Sequence, residues 1–167
     1  MRIKITPKFS KADVDKFVKE KKAAIERAVI SMLQRVGEEF ITNARNKGSY
    51  KDQTGNLRSS VGYVVMKNGL QLSKGGFVKI EPNKSKGGKL VNIINGPKVG
   101  EKLVEEISKE LRAKYLNAII LIVVAGMHYA AAVEAKGFDV ITGSSQIAEK
   151  ELKQGIERIR TKISKAA

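Results

Sequence analysis

The sequence predicts an α+β fold, with a long N-terminal helix and a C-terminal helix packed on a mainly antiparallel sheet. Apolar residues recur at three- and four-residue steps from Val14 to Phe40 and again from Ile147 to Ile163, the period of helices with one buried stripe. Between these stretches, residues alternate on both sides of Asn68-Gly69, and that dipeptide tolerates the positive φ of a tight hairpin turn. The β-branched run Ile119–Val124 has the composition of a buried strand.

Taken in order, residues 3–5 read as a short strand ended by Pro7. Ser10 and Asp13 have the spacing of a capping box, with Phe9 and Val14 placed as a hydrophobic staple. The stripe Val14, Phe17, Val18, Ile25, Val29, Met32, Leu33, Val36 and Phe40 predicts a helix of about 35 residues, far above the ordinary length. Lys21 interrupts it, so the first third is expected to project from the body or to meet a partner. Gly48 is placed to cap the helix end. The hairpin follows, with a third strand expected from Gly76 to Ile80. Residues 83–100 read as an exposed Gly- and Lys-rich loop with an apolar rung at Val91–Ile94. A helix over 101–115 shows Leu103, Ile107 and Leu111 on one face, and the strand at 118–125 comes next. Ser144 or Ser145 is expected to cap the last helix.

The chain of 167 residues is long enough to bury a core, and reads as a single α+β domain over 1–167 with a basic, loop-rich insertion at about 74–100. It has no cysteine and one histidine, His128, which excludes disulfides, thiolate metal sites and a two-histidine zinc motif within one chain. Neither a metal nor a cofactor is expected. The N-terminus lacks the apolar core of a secretory signal. Residues 116–133 are barely long enough for a membrane span, and their β-branched centre favours a core strand.

Net charge is +15 and unevenly spread. Residues 1–51 hold 13 Lys and Arg against 6 acids, residues 52–100 hold 8 against 2, and the remainder 11 against 9. The excess in the first hundred residues suits a polyanion or an acidic partner. Lys74, Lys79, Lys84, Lys86, Lys89 and Lys98 are the candidate DNA-facing residues. Without interleaved aromatics they suit salt-sensitive phosphate contact and not base stacking. Scattered lysines that only keep the surface soluble are the plain alternative.

Catalytic motifs fail their context tests. "KSKGGKL" puts Leu90 after Lys89, where a phosphate loop needs Ser or Thr. Ser59 or Ser60 with His128 and Glu134 makes a triad only on paper, since no nucleophile elbow surrounds either serine. His128 reads as a packed or interfacial residue. The pairs Glu38-Glu39 and Glu105-Glu106 are helix neighbours that diverge in direction. No enzymatic activity is expected.

The segment "DQTGNLRSS" at 52–60 reads as a joint between the long helix and the first strand. Gly55 supplies a left-handed or closely approached turn, Thr54 and Asn56 satisfy loose backbone groups, and Leu57 anchors the core. Arg58 is left to reach a fixed partner. Glu134, the one acid between Glu110 and Asp139, is the expected partner in a bidentate pair.

Two segments carry a family resemblance. "TGNLRSS" supplies Thr54, Gly55, Leu57, Arg58 and Ser60 to a TGxLRxS pattern. "YAAAVEAKG" supplies Tyr129, Ala130, Val133, Glu134 and Gly137 to a YAxxVExG pattern, with one extra residue before the glycine. In this order and after these elements, the chain resembles the tail-completion or head–tail joining proteins of tailed bacteriophages, the HK97 gene-product-10-like family. Many relatives continue with Gly-Thr and a proline-bearing loop, where this chain has "KGFDVITGSSQ". The resemblance implies a non-enzymatic virion protein of the neck or tail, assembled in the host cytoplasm as a ring-like homo-oligomer around the DNA path. Its implied partners are itself and neighbouring neck, tail-terminator or head-connector proteins, with weak non-specific DNA contact and no membrane. A stand-alone basic nucleic-acid-binding protein is the alternative.

Overall fold

The computed structural model describes residues 8–81 and 94–165. The first helix, α1 (Lys11–Lys47), opens with the expected capping box. The Ser10 hydroxyl accepts from the Asp13 N–H at 3.2 Å, and the Asp13 carboxylate accepts from the Ser10 N–H at 2.9 Å. Hydrogen bonds from the Ser10 hydroxyl and N–H also hold the Asp13 carboxyl below its ordinary pKa. Every residue from 11 to 22 is exposed. Phe9 and Val14, the expected staple, are exposed, as are Phe17 and Val18, and the Lys21 ammonium stands over the Phe17 ring at 5.2 Å. The arm expected from the interrupted stripe is therefore present, and burial becomes continuous only around Met32, Leu33, Val36, Phe40 and Ala44. Gly48 follows the helix but with φ −56°, so it is no left-handed cap. Its missing Cβ instead leaves room for the Tyr50 ring, which one would meet at 2.6 Å.

After a single turn of helix, α2 (Asn56–Ser59), come β1 (Val61–Lys67) and β2 (Leu70–Gly76). Asn68 and Gly69 take φ +50° and +74°, the paired positive values of a type I′ hairpin. The third strand expected at Gly76–Ile80 does not form. Gly76 at φ +81° and Phe77 at +52° turn the chain out of the sheet, and the Phe77 ring closes over Gly62. The third strand is β3 (Ile119–Ala125), and both pairings in the order β2-β1-β3 are antiparallel. Central β1 is buried on both faces. Val61, Tyr63 and Val65 join the cluster under α1, while Val64 and Met66 face α3 (Gly96–Lys114) with Val104, Ile122 and Val124. Leu103, Ile107 and Leu111 pack on that second cluster as expected.

α3 starts five residues earlier than its periodicity indicated. The Asn95 side chain caps it by accepting from the Lys98 N–H at 3.2 Å, and Pro97 lies in the first turn, where its missing N–H costs nothing. Residues 74–76 and 96–100 of the expected loop-rich insertion thus belong to β2 and α3. The strand expected at 3–5 and the Val91–Ile93 part of the apolar rung lie outside the described residues. The short helix α4 (Ala130–Ala135) leads to α5 (Thr142–Lys165). The latter packs chiefly on α1 and runs antiparallel to it, with Arg35 pairing to Glu151 at 3.6 Å and Gly155 pressed on Met32. The layers are therefore α5 with α1, then the sheet, then α3: a mixed α+β fold. Among the described residues no helix is long and apolar enough to cross a membrane.

Candidate functional site: a groove between two segments

The joint before β1 is held by a buried carboxylate. Asp52, 4% exposed, accepts from the Arg58 backbone N–H at 2.9 Å and from its guanidinium Nε at 3.4 Å. Gly55 takes φ +74° as expected, and a Cβ there would stand 2.1 Å from the Ile80 carbonyl oxygen. The Thr54 hydroxyl accepts from the Asn56 N–H at 3.4 Å, and Leu57 enters the core. The Ser59 hydroxyl donates to the Gly55 carbonyl at 2.5 Å and accepts from the Ile80 N–H at 2.8 Å, while Ser60 donates to the Leu57 carbonyl at 2.8 Å. Both serines are buried and committed to backbone. From α1, Arg45 donates to the Arg58 and Val61 carbonyls at 3.2 Å each, and its burial draws its pKa down.

Glu134 does not pair with Arg58. Its carboxylate accepts from the N–H groups of Val140, Ile141 and Thr142 at 3.0, 2.6 and 2.9 Å, and from the Thr142 hydroxyl. Asp139 adds an acceptor for the Gly143 N–H at 2.9 Å. Together they cap α5, which explains why that helix begins at Thr142 and why Ser144 and Ser145, the two expected caps, both lie inside it, Ser144 buried. A carboxylate at a helix N-terminus satisfies orphan donors and meets the positive end of the dipole. Burial pushes the Glu134 carboxyl up, but the four hydrogen bonds outweigh it and leave the pKa below its ordinary value. Arg58 takes Asp52 because the two lie in one tight turn. An acid six residues before the arginine was the signal that the sequence offered for this pair.

The two motif segments nevertheless meet. Tyr129 reaches the Thr54 side chain across a groove of about 620 Å³ lined by Tyr50, Asp52, Thr54, Leu57, Tyr129 and Val133, among others. Ala130 is buried in the core under α1, and Gly137, at φ +84°, follows the end of α4. Burial and then the Asp52 charge raise the Tyr50 phenol to about 12, against a smaller opposing pull from Arg58. Burial and Asp52 also raise Tyr129, opposed by its hydrogen bond with Thr54. Two buried polar atoms here, the Tyr50 hydroxyl and Arg58 Nη2, have no partner among the described residues. Tyr50 and Asp52 were not singled out from the sequence, because neither belongs to the two patterns. His128 is exposed, with its ring edge-on to Tyr129 at 5.3 Å, so it is not a packed residue.

Among the candidate DNA-facing lysines, Lys74 is paired with Glu101 at 2.6 Å and Lys79 with Glu81 at 3.5 Å. Lys98 is exposed in the first turn of α3 and shares a cleft with Lys79. Lys84, Lys86 and Lys89 lie outside the described residues. Among the described residues, no group of three or more acids or histidines is placed to hold a metal ion. No family model, curated protein or solved structure matches the chain.

Proposed function

We propose that this chain is a structural virion protein of the phage neck or tail, completing the tail or joining it to the head. It would act by ring-like assembly around the DNA path with copies of itself and with neighbouring neck, tail-terminator or head-connector proteins. The observation that carries the reading is the convergence of the two segments behind the resemblance. Thr54–Ser60 and Tyr129–Gly137, far apart in sequence, both line one groove, and several of their polar side chains hold backbone: Ser59 and Ser60 tie the joint, and Glu134 caps α5. Such a pair of segments fixes a rigid body, which a protomer that transmits force through contacts requires. The exposed apolar arm of α1 supplies surface for neighbours.

The net charge of +15 favours a second reading, a stand-alone nucleic-acid-binding protein. Titration of a mixed-sequence duplex across a salt series separates the two. The assembly reading expects weak binding, at or above the micromolar range typical of non-specific contact, that disappears by physiological salt. Binding that stays far tighter than that range at physiological salt overturns it in favour of the second.

A further inference from the structure

The groove between the two motif segments is open and mostly apolar. Leu57, Met127, Val133, Tyr129 and Phe138 line it, and its volume of about 620 Å³ lies in the range of pockets that bury a bulky group. Three charged side chains share the lining. Asp52 is buried and already serves Arg58. Lys51 and Lys136 are exposed, and among the described residues neither pairs with an acid. The accessible part is thus an apolar hollow with two ammonium groups at its rim and Phe138 exposed at its edge.

The arm of α1 carries the converse surface. Every residue from 11 to 22 is exposed, and Phe17 stands out from it with Val14 one turn before. Asp13, four residues before Phe17, and Glu20, three after, share its face, whereas Lys16, Lys19 and Lys22 fall on others. Lys21 shares the face too, but its ammonium lies over the Phe17 ring at 5.2 Å. Asp13 keeps its charge while it caps the helix, since the bonds from Ser10 hold its pKa down. An apolar side chain between two carboxylates matches an apolar hollow rimmed by two ammonium groups.

This arm cannot enter the groove of its own chain. The groove is built on Ser49–Thr54, directly after α1 ends at Lys47. Phe17 lies 30 residues before Lys47 in one unbroken helix, so about 45 Å of rigid rod separates donor from acceptor. Burial of Met32, Val36, Phe40 and Ala44 against the sheet and α5 fixes the direction of that rod. The two surfaces belong to opposite ends of α1.

We infer that the α1 arm of one copy docks in this groove of a second copy, with Phe17 in the hollow and Asp13 and Glu20 against Lys51 and Lys136. Donor and acceptor are different surfaces, so the contact is head-to-tail and propagates until it closes as a ring. The inference deepens the assembly reading, and rests on it for the identity of the neighbour as a second copy.

Sedimentation velocity of the full chain and of full-length variants tests it. Phe17→Asp blocks the donor and Phe138→Asp the acceptor. The two rings are 57% and 44% exposed, so neither change empties the core. The parent chain is expected to self-associate, and each variant to do so more weakly by about tenfold or more. Donor-blocked and acceptor-blocked chains mixed together should form a one-to-one heterodimer that grows no further, because one complementary pair of surfaces remains. Lys51→Glu with Lys136→Glu should also weaken association, although it lowers the net positive charge that drives copies apart. Tighter association in that variant, a Phe138→Asp chain that assembles like the parent, or a mixture that stays monomeric overturns the docking. Rings that persist in both aspartate variants overturn it while leaving the assembly reading intact. A parent chain that remains monomeric overturns it too, and the assembly reading then stands or falls on the duplex titration.

Discussion

At the scale of residues, the chemistry around the two segments is that of carboxylates holding backbone. Asp52 serves the Arg58 N–H and guanidinium, and Glu134 serves three N–H groups at the start of α5. A double-mutant cycle between Arg58 and Asp52 should therefore give a coupling of about 1 kcal/mol or more, and one between Arg58 and Glu134 none. Glu134→Gln should lower stability to urea by about 1–2 kcal/mol at neutral pH, because a neutral amide is a weaker acceptor at a helix N-terminus. The pH dependence has a definite sign. The folded Glu134 carboxyl sits below its ordinary value of 4.5, so its stabilisation is present above that pH and fades as pH falls through the folded value. The acid limb of a stability–pH curve should accordingly flatten in Glu134→Gln. Tyr63 gives the converse. Burial, the hydrogen bond to Glu38 and the Glu38 charge raise its phenol to about 12 from 10.0, so its contribution is whole below pH 10 and lost as pH rises through 12. Ultraviolet titration of the phenolates, followed together with circular dichroism, checks it. Tyr63→Phe should move that alkaline transition.

At the scale of elements, local signals were read well where the cause is local. The capping box of α1, the Asn68-Gly69 turn and the left-handed Gly55 need only neighbouring residues to explain them. Gly55→Ala should cost at least ~2 kcal/mol in denaturant unfolding, from left-handed strain and collision with the Ile80 carbonyl. Ser10→Ala should behave differently. Its loss of about 1 kcal/mol of helix stability falls on an arm that is exposed throughout. Hydrogen exchange over residues 11–20 should therefore speed up while global unfolding barely changes. The misread elements failed for two reasons, one long-range and one local. The strand expected at Gly76–Ile80 is alternating in sequence, but the Phe77 ring is drawn onto Gly62, and no pattern within the segment announces that contact. The early start of α3 and of α5 came from caps at Asn95, Asp139 and Glu134; Glu134 acts from eight residues upstream of Thr142.

At the scale of the whole molecule, the two clusters of core residues lie on either side of β1, and the helices α1 and α3 close them. That is why the hydrophobic run of β1 is continuous while β2 stays exposed. The basic excess works at this scale too. With Lys74 and Lys79 each facing an acid, Lys74→Gln with Lys79→Gln should reduce the salt slope of duplex binding by less than the two units that two free phosphate contacts would give. The sequence by itself determined the classes and order of most elements, the length of α1 and its projecting third, and the turn residues, because periodicity and caps act within a few residues. Only the tertiary structure decided the partners of the charged groups, the strand that completes the sheet and the groove where the two segments meet. A carboxylate goes to whichever donors the fold places nearest, and which donors those are is fixed by packing between residues far apart in the chain.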